Sequence, residues 1–358
     1  YIKMSNNFKI IGIMSGTSLD GVDIAHCTFK KNKHWTYKID KAKTVEYPSR
    51  LKKQLKSCFE LSGYKLIKLD HNLGEFIGLE INKFIKHNDL NPEIISSHGH
   101  TVFHNPKEKI GLQIGNANKI LSIVKIPVIN NFRELDIILG GQGAPLVPIG
   151  EKLLFKGYDY FINLGGIINI TKIDSSSVKA HDVVASNLVL NNISNKLNFE
   201  FDNKGSIARK GKLITTLFDE LNSLKFYKKN HPKSIGIEWI NKKIFPIIYK
   251  SNHKLEDVMA TFSNHIAYQL IKNIDGKKNK ILVTGGGVYN DFLVEKIKVY
   301  DKNKNLWIIP DNKLIKYKEA LIFAFMGLLK KLNKQNILNN VTGSSIGISA
   351  GNISKNIF

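Results

Sequence analysis

Two stretches that place a turn of small residues between short apolar runs do most to limit what this chain can become. The first, Ile10 to Ala25, reads IIGIMSGTSLDGVDIA, with Ser15-Gly16-Thr17-Ser18-Leu19-Asp20-Gly21 between the runs Lys9–Met14 and Val22–Ala25. The second joins Tyr160–Leu164 to Ile167–Ile173 through Gly165-Gly166. Each predicts a β-hairpin whose tip lets backbone N–H groups converge on an anion, and Thr17 and Ser18 add hydroxyl donors at the first. For the first taken alone, an ordinary polar hairpin turn is the alternative. A third glycine turn, Gly285-Gly286-Gly287, follows the β run Lys280–Thr284 and precedes a helix at Asp291–Ile297. Two hairpins facing across a cleft can hold a polyphosphate from both sides, and a glycine turn after a parallel strand leaves room for a flat nucleoside. The combination predicts a two-lobed phosphotransferase that uses ATP.

Length agrees with two lobes, since 358 residues exceed what one hydrophobic core usually supports. The break richest in glycine is Gly140-Gly141-Gln142-Gly143-Ala144-Pro145, and it places a boundary near Arg133 to Gly143, giving an N-terminal lobe over 1–133 and a C-terminal lobe over 134–358. Helical spacing recurs at Leu73, Phe76, Ile77, Ile81 and Phe84, then in Leu188–Leu197, Leu213–Leu221 and Val258–Ile274. The apolar segment Lys318–Leu332 predicts a last helix, free to pack back on the N-terminal lobe. The glycine- and serine-rich tail after Thr342 is expected to be loosely ordered.

Composition narrows the function. No apolar run approaches the roughly 20 residues of a membrane span, and no basic-then-apolar signal opens the chain, so a cytoplasmic protein without a membrane partner is expected. Cys27 and Cys58 lack zinc-ligand spacing and read as buried small hydrophobes. The net charge of +23 suggests nucleic acid, yet only Arg50, Arg133 and Arg209 among 53 basic residues are arginine, and the lysines are spread along the chain. Base readout and phosphate forks favour arginine, so nucleic acid is not expected as a partner.

The stretches Ile11–Ala25, Ser97–Pro106 (SHGHTVFHNP), Gly140–Pro148 (GGQGAPLVP), Asn163–Ile170 (NLGGIINI), Pro232–Gly236 (PKSIG), Thr284–Asn290 (TGGGVYN) and Lys318–Phe325 (KEALIFAF) stand in an order that resembles the anhydro-N-acetylmuramic acid kinase family. The resemblance runs from about Lys9 to about Gly343. It implies an α/β fold of two lobes, the ribonuclease H-like domains of the sugar kinase, heat-shock protein and actin superfold, with a central cleft. It also implies a reaction: water opens the 1,6-anhydro ring of a cell-wall sugar while the γ-phosphate of ATP moves to O6, with Mg²⁺ neutralising phosphate charge.

Carried over residue by residue, the resemblance gives Asp182 the part of the base, at a strand end just ahead of the Leu188–Leu197 helix; a plain helix-capping acid is the alternative. Gly16, Thr17, Ser18, Leu19, Asp20, Gly21, Val22 and Asp23 match the phosphate loop, with Asp20 placed to hold Mg²⁺ through water. Gly165 and Gly166 stand opposite it, and Gly285, Gly286 and Gly287 face the nucleoside. His98, His100, Gln142 and Glu319 fall on the sugar side, a solvated helix-start carboxylate being the alternative for Glu319. Three histidines in seven residues, with His104 the third, admit a metal site, although the family uses this turn without one. A homodimer is implied as well.

Four positions depart from the family pattern. Asn131 stands where an acid usually precedes Phe-Arg, Asn116 where an acid is common, His181 where an aromatic is usual, and Ile237 where an arginine follows the Pro-Lys-Ser stretch. These leave two rivals: a kinase of the same superfold for another sugar, and a catalytically silent sugar- or nucleotide-binding relative.

Overall fold

Short turns force neighbouring strands antiparallel, and helical crossovers return the chain parallel. Both rules act twice here. In the computed structural model, which describes residues 7–16, 19–174, 177–229, 233–250 and 252–356, the chain divides into unit 1, Tyr1–Lys156 with Tyr317–Phe358, and unit 2, Gly157–Lys316.

Unit 1 opens with β1 (Asn7–Ser15), β2 (Val22–Lys31) and β3 (Trp35–Val45), an antiparallel meander. The helix Gly63–Asn88 then carries the chain back, so β4 (Ile94–Ser97) lies parallel to β1, pairing Ile10 with Ile94. A separate hairpin of β5 (His100–Asn105) and β6 (Ile110–Ile114) follows, and after the helix Ala117–Val124 comes β7 (Val128–Asn130), parallel to β4. Unit 2 repeats the plan. β8 (Tyr160–Leu164), β9 (Ile167–Ile173) and β10 (Val178–Ala185) run antiparallel, while β11 (Lys280–Thr284) and β12 (Leu306–Ile308) add parallel strands. The orders β3-β2-β1-β4-β7 and β10-β9-β8-β11-β12 are the same, each with the first strand of its meander at the centre. The same α/β plan thus occurs once in each unit.

Packing explains why β1 is central. Ile10, Ile11 and Ile13 are all fully buried, so both faces of the strand are covered. On one face lies the stripe Leu69, Leu73, Ile77, Ile81 and Phe84 of the helix Gly63–Asn88. On the other, a Cβ at Gly12 would strike the carbonyl of Ala320 and the Cβ of Ala324, so glycine sets how closely the helix Asn312–Lys331 approaches. Unit 2 has its own core, in which Ile162, Ile168 and Val184 of the sheet meet Phe262, Ile266 and Leu270 of the helix Leu255–Lys272.

The units divide after Lys156 and after Lys316, so the glycine break at 140–143, where the sequence suggests a boundary, lies inside unit 1. A second correction concerns the tail. The strand Asn352–Ser354 pairs antiparallel with β7, and Ile337 bridges Ile348, so the tail is fastened to the sheet. Its backbone finds hydrogen-bond partners on an open strand edge, which small side chains do not obstruct. Both cysteines are buried and free.

Candidate active site

In unit 1 the first hairpin ends in a wide turn, of which Thr17 and Ser18 lie outside the described residues. Leu19 is buried, and its N–H reaches the Gly16 carbonyl at 3.4 Å. Asp20 is exposed, so a carboxylate stands at the tip. A Cβ at Gly21 would come within 2.6 Å of the Val45 carbonyl, which is how β3 can close against the turn. Asp23 points its Oδ1 at the Thr44 hydroxyl, 2.6 Å away, while Ser15 and Tyr47 share a buried hydroxyl contact of 2.6 Å beneath the tip.

A polar network lies at the ends of β4 and β7. Arg133 donates from Nε to His98 Nε2 at 2.9 Å and from Nη1 to the Gly143 carbonyl at 2.6 Å. His98 Nδ1 donates to the Gly99 carbonyl at 2.8 Å, so both ring nitrogens are engaged and the imidazole is neutral. Burial first, and the Arg133 charge second, hold its pKa well below the ordinary value. Burial likewise brings Arg133 down to about 10, against the pull of Glu319 and Asp136. Asp136, fully buried, accepts from Gly143 N–H and from the Thr342 hydroxyl, both at 2.7 Å, and thereby shapes the glycine turn. Gln142 hangs exposed on that turn, its backbone N–H bound to the Thr342 carbonyl at 2.8 Å.

Glu319 is half-buried near Arg133, and burial raises its carboxyl above the ordinary range although Lys318 and Arg133 pull the other way. Its neighbour Lys318 makes a 2.9 Å ion pair with Glu151, both almost fully buried. His100 is buried, and burial lowers its pKa, with the Gly16 backbone opposing the shift. Among the described residues no group of three or more His, Cys, Asp and Glu side chains is arranged to hold a metal ion.

Unit 2 holds the remaining candidates. Asp182 lies inside β10, three residues before its end, not at the strand terminus the sequence suggests. A bulge between Asp182 and Val184 breaks the register with β9, which re-aims the side chain. The stretch 233–235 clamps it from the open edge. Asp182 N–H donates to the Lys233 carbonyl at 3.1 Å, and Ile235 N–H donates to Asp182 Oδ2 at 2.9 Å. Asp182 Oδ1 has no partner among the described residues, and burial raises the carboxyl pKa, with the Ile235 hydrogen bond opposing. One oxygen is thus held in position while the other is open to accept a proton.

The second hairpin turns in only two residues, Gly165 and Gly166, and Ser186 and Leu188 N–H groups bind the Gly166 carbonyl at 2.8 and 3.2 Å. Gly285 has φ +88, and a Cβ there would meet the Asn163 side chain at 2.5 Å and the Leu164 backbone at 2.8 Å. Gly287 presses on Leu164 as well, whereas a Cβ at Gly286 would meet nothing within 4 Å. Gly286 and Gly287 line a cavity of about 290 Å³ with Asn187, Asn191, Lys204 and Tyr289.

Arg133, Asp136, the Lys318–Glu151 pair and the clamp at 233–235 escaped the sequence reading. Arg133 carried a signal, being one of three arginines in a lysine-rich chain. The others become visible only when distant segments meet.

A family model for anhydro-N-acetylmuramic acid kinase matches residues 8–356. The chain belongs to the anhydro-N-acetylmuramic acid kinase family. It is 33% identical over 382 aligned positions to the anhydro-N-acetylmuramic acid kinase of Francisella tularensis subsp. novicida, covering 98% of this chain and 99% of that protein. The corresponding protein of Actinobacillus pleuropneumoniae serotype 7 is 31% identical, with 95% and 97% covered, and that of Bacillus thuringiensis subsp. konkukian 30%, with 96% and 98% covered. The chain is therefore an enzyme of the sugar kinase class, and none of its helices, among the described residues, is long and apolar enough to cross a membrane.

The four departures from the family pattern acquire local partners or exposure. Asn131 donates to Glu134, Asn116 accepts from Lys119 N–H as a helix cap and donates to Asp70, and His181 meets Asn273 at 3.0 Å. Ile237 is 46% exposed at the start of a helical turn.

Proposed function

We propose that the protein opens 1,6-anhydro-N-acetylmuramic acid hydrolytically and phosphorylates O6 with ATP, giving N-acetylmuramate 6-phosphate and ADP, in the recycling of cell-wall sugar in the cytoplasm. The observation that carries the reading is Asp182, a half-buried carboxylate with one oxygen fixed by Ile235 N–H and its pKa raised towards the range of a working base. In this reading its open oxygen takes a proton from water as the water oxygen bonds to C1. The C1–O6 bond breaks, O6 takes the γ-phosphoryl group, ADP leaves, and the proton passes from Asp182 to solvent.

Gly16 to Asp23 and Gly165-Gly166 are then the phosphate-binding turns, and Gly285 to Gly287, with the cavity that Gly286 and Gly287 line, receive the nucleoside. His98, held neutral, His100, Gln142 and Glu319 are the sugar-side groups, and Arg133 positions both His98 and the turn carrying Gln142. Asp20 suits Mg²⁺ held through water, because it is an exposed carboxylate on the phosphate turn. The ion would neutralise charge building on the phosphates.

The test is direct. Protein incubated with ATP, Mg²⁺ and the anhydro-sugar in ¹⁸O-water should yield a reducing 6-phosphorylated sugar labelled at C1. Intact ATP and no product would sink the proposal. ATP turnover with another sugar in a panel would transfer it to that substrate.

A further inference from the structure

The first glycine turn is held at its base by one neighbouring segment, residues 44–47, at the end of β3 and just beyond it. Thr44 donates from its hydroxyl to Asp23 Oδ1 at 2.6 Å, and the Val45 carbonyl lies 2.6 Å from where a Cβ on Gly21 would stand. Both contacts fall on the exit side of the turn. Tyr47 meets Ser15 hydroxyl to hydroxyl at 2.6 Å, and Ser15 is the last residue of β1, directly before Gly16. Tyr47 therefore carries the brace across to the entry side.

The phenol can bear on the turn because it is itself held. Its ring lies in the apolar core of unit 1 with Leu73 and Ile77 and packs on Phe76, the centroids 5.8 Å apart. Pro48 follows it and confines the Tyr47 backbone to extended conformations. Ser15 and Tyr47 are both buried, and among the described residues each hydroxyl finds its side-chain partner in the other. Burial pushes the Tyr47 hydroxyl up to about 12 against the pull of the Ser15 hydrogen bond, so it keeps its proton at neutral pH.

A turn of small residues needs such a brace. Gly16 and Gly21 leave its backbone many conformations, and ordering them when an anion binds costs affinity. We propose that Tyr47, acting through Ser15, is a positioning residue for the nucleotide phosphates, setting the turn in its binding conformation before the nucleotide arrives. The inference rests on the reading of Gly16 to Asp23 as a phosphate turn and adds a residue outside it. Tyr47 acts without touching the nucleotide. Its contribution is preorganisation, which falls on the affinity for phosphates and not on the chemical step.

Tyr47→Phe and Ser15→Ala, singly and together, test it in the full chain with Mg²⁺. ADP and adenosine are titrated calorimetrically, and the KM for ATP is read beside kcat in the anhydro-sugar reaction. Each single variant should weaken ADP and raise the KM for ATP by about five- to tenfold, with kcat within about twofold and adenosine affinity unchanged. The double variant should lose no more than the larger single loss, because both changes remove one contact. Unchanged ADP affinity in both single variants overturns the proposal. An equal loss for adenosine overturns it too, since a general weakening of the fold acts on both ligands, and so do additive losses in the double variant. ADP that binds the parent no more tightly than adenosine overturns the phosphate turn itself, and the brace with it. Ser15→Ala removes a single oxygen, so it decides the matter if Tyr47→Phe fails to fold.

Discussion

The two glycine hairpins occupy the same place in two sheets of the same strand order, yet they are made differently. The turn of unit 1 runs from Gly16 to Gly21, wide enough to expose Asp20, and glycine at its exit makes room for backbone, the Val45 carbonyl of β3. The turn of unit 2 is two glycines long and carries no side chain, and the atom that a Cβ on Gly166 would meet is Leu188 Cγ at 2.8 Å. Leu188 is 42% exposed and can swing away, whereas a strand carbonyl cannot. Repetition of a topology therefore does not repeat its chemistry. Unit 1 offers charged groups held by other side chains, as in Arg133–His98 and Asp136–Thr342, whereas the Asp182 carboxylate of unit 2 is held by backbone.

The largest expected effect comes from breaking that contrast in unit 2. Asp182→Asn keeps the size and the acceptor for Ile235 N–H but removes the base, so turnover should fall by about 10²–10⁴ with nucleotide affinity nearly unchanged. Steady-state rates beside nucleotide titration check it, and a near-parental rate would place the base elsewhere. The parental rate should also fall as acid protonates Asp182, with a midpoint above the ordinary carboxylate value, because burial raises that pKa. In unit 1, Asp20→Asn should raise the KM for ATP by roughly tenfold while leaving the fold intact; an unchanged KM would remove Asp20 from the nucleotide site.

Stability sharpens the comparison further. Each unit hides a histidine, His98 in one and His265 in the other, and burial pushes both pKa values down, that of His265 to about 3. The unfolded chain takes up protons near pH 6.5 and the folded one does not, so stability is lost as pH falls below that value. For His265 the loss should approach about 1.4 kcal/mol per pH unit and continue to about pH 3. Urea titrations between pH 7 and 5 measure it, and His265→Gln should flatten the slope. Smaller still is the contrast between glycines. Gly21→Ala should cost about 1–3 kcal/mol through its collision with Val45. Gly166→Ala should cost less than about 1 kcal/mol, and equal losses would show that the two turns are equally constrained.

Much of the frame was legible in order along the chain. The apolar runs on either side of the glycine turns became β1–β2 and β8–β9, and the spacing of Leu73, Ile77 and Ile81 became the buried stripe of a helix. The histidine turn was read without the hairpin β5–β6 that it enters, since its pairing joins His100 to Ile114 across an irregular register. The parts of the candidate site that escaped share one cause. His98 is neutral because Arg133, 35 residues away, donates to it, and Asp136 is satisfied by Thr342, 206 residues away.

Sequence alone determined the strands beside the glycine turns and the main amphipathic helices, because those follow from local backbone freedom and from the period of apolar residues. It determined the family too, because the matching stretches recur in order. The tertiary structure decided where the units divide, that the tail closes the edge of β7, and that a bulge and the 233–235 stretch aim Asp182. Burial and hydrogen-bond pairing depend on which distant segments meet, and no local pattern carries that information.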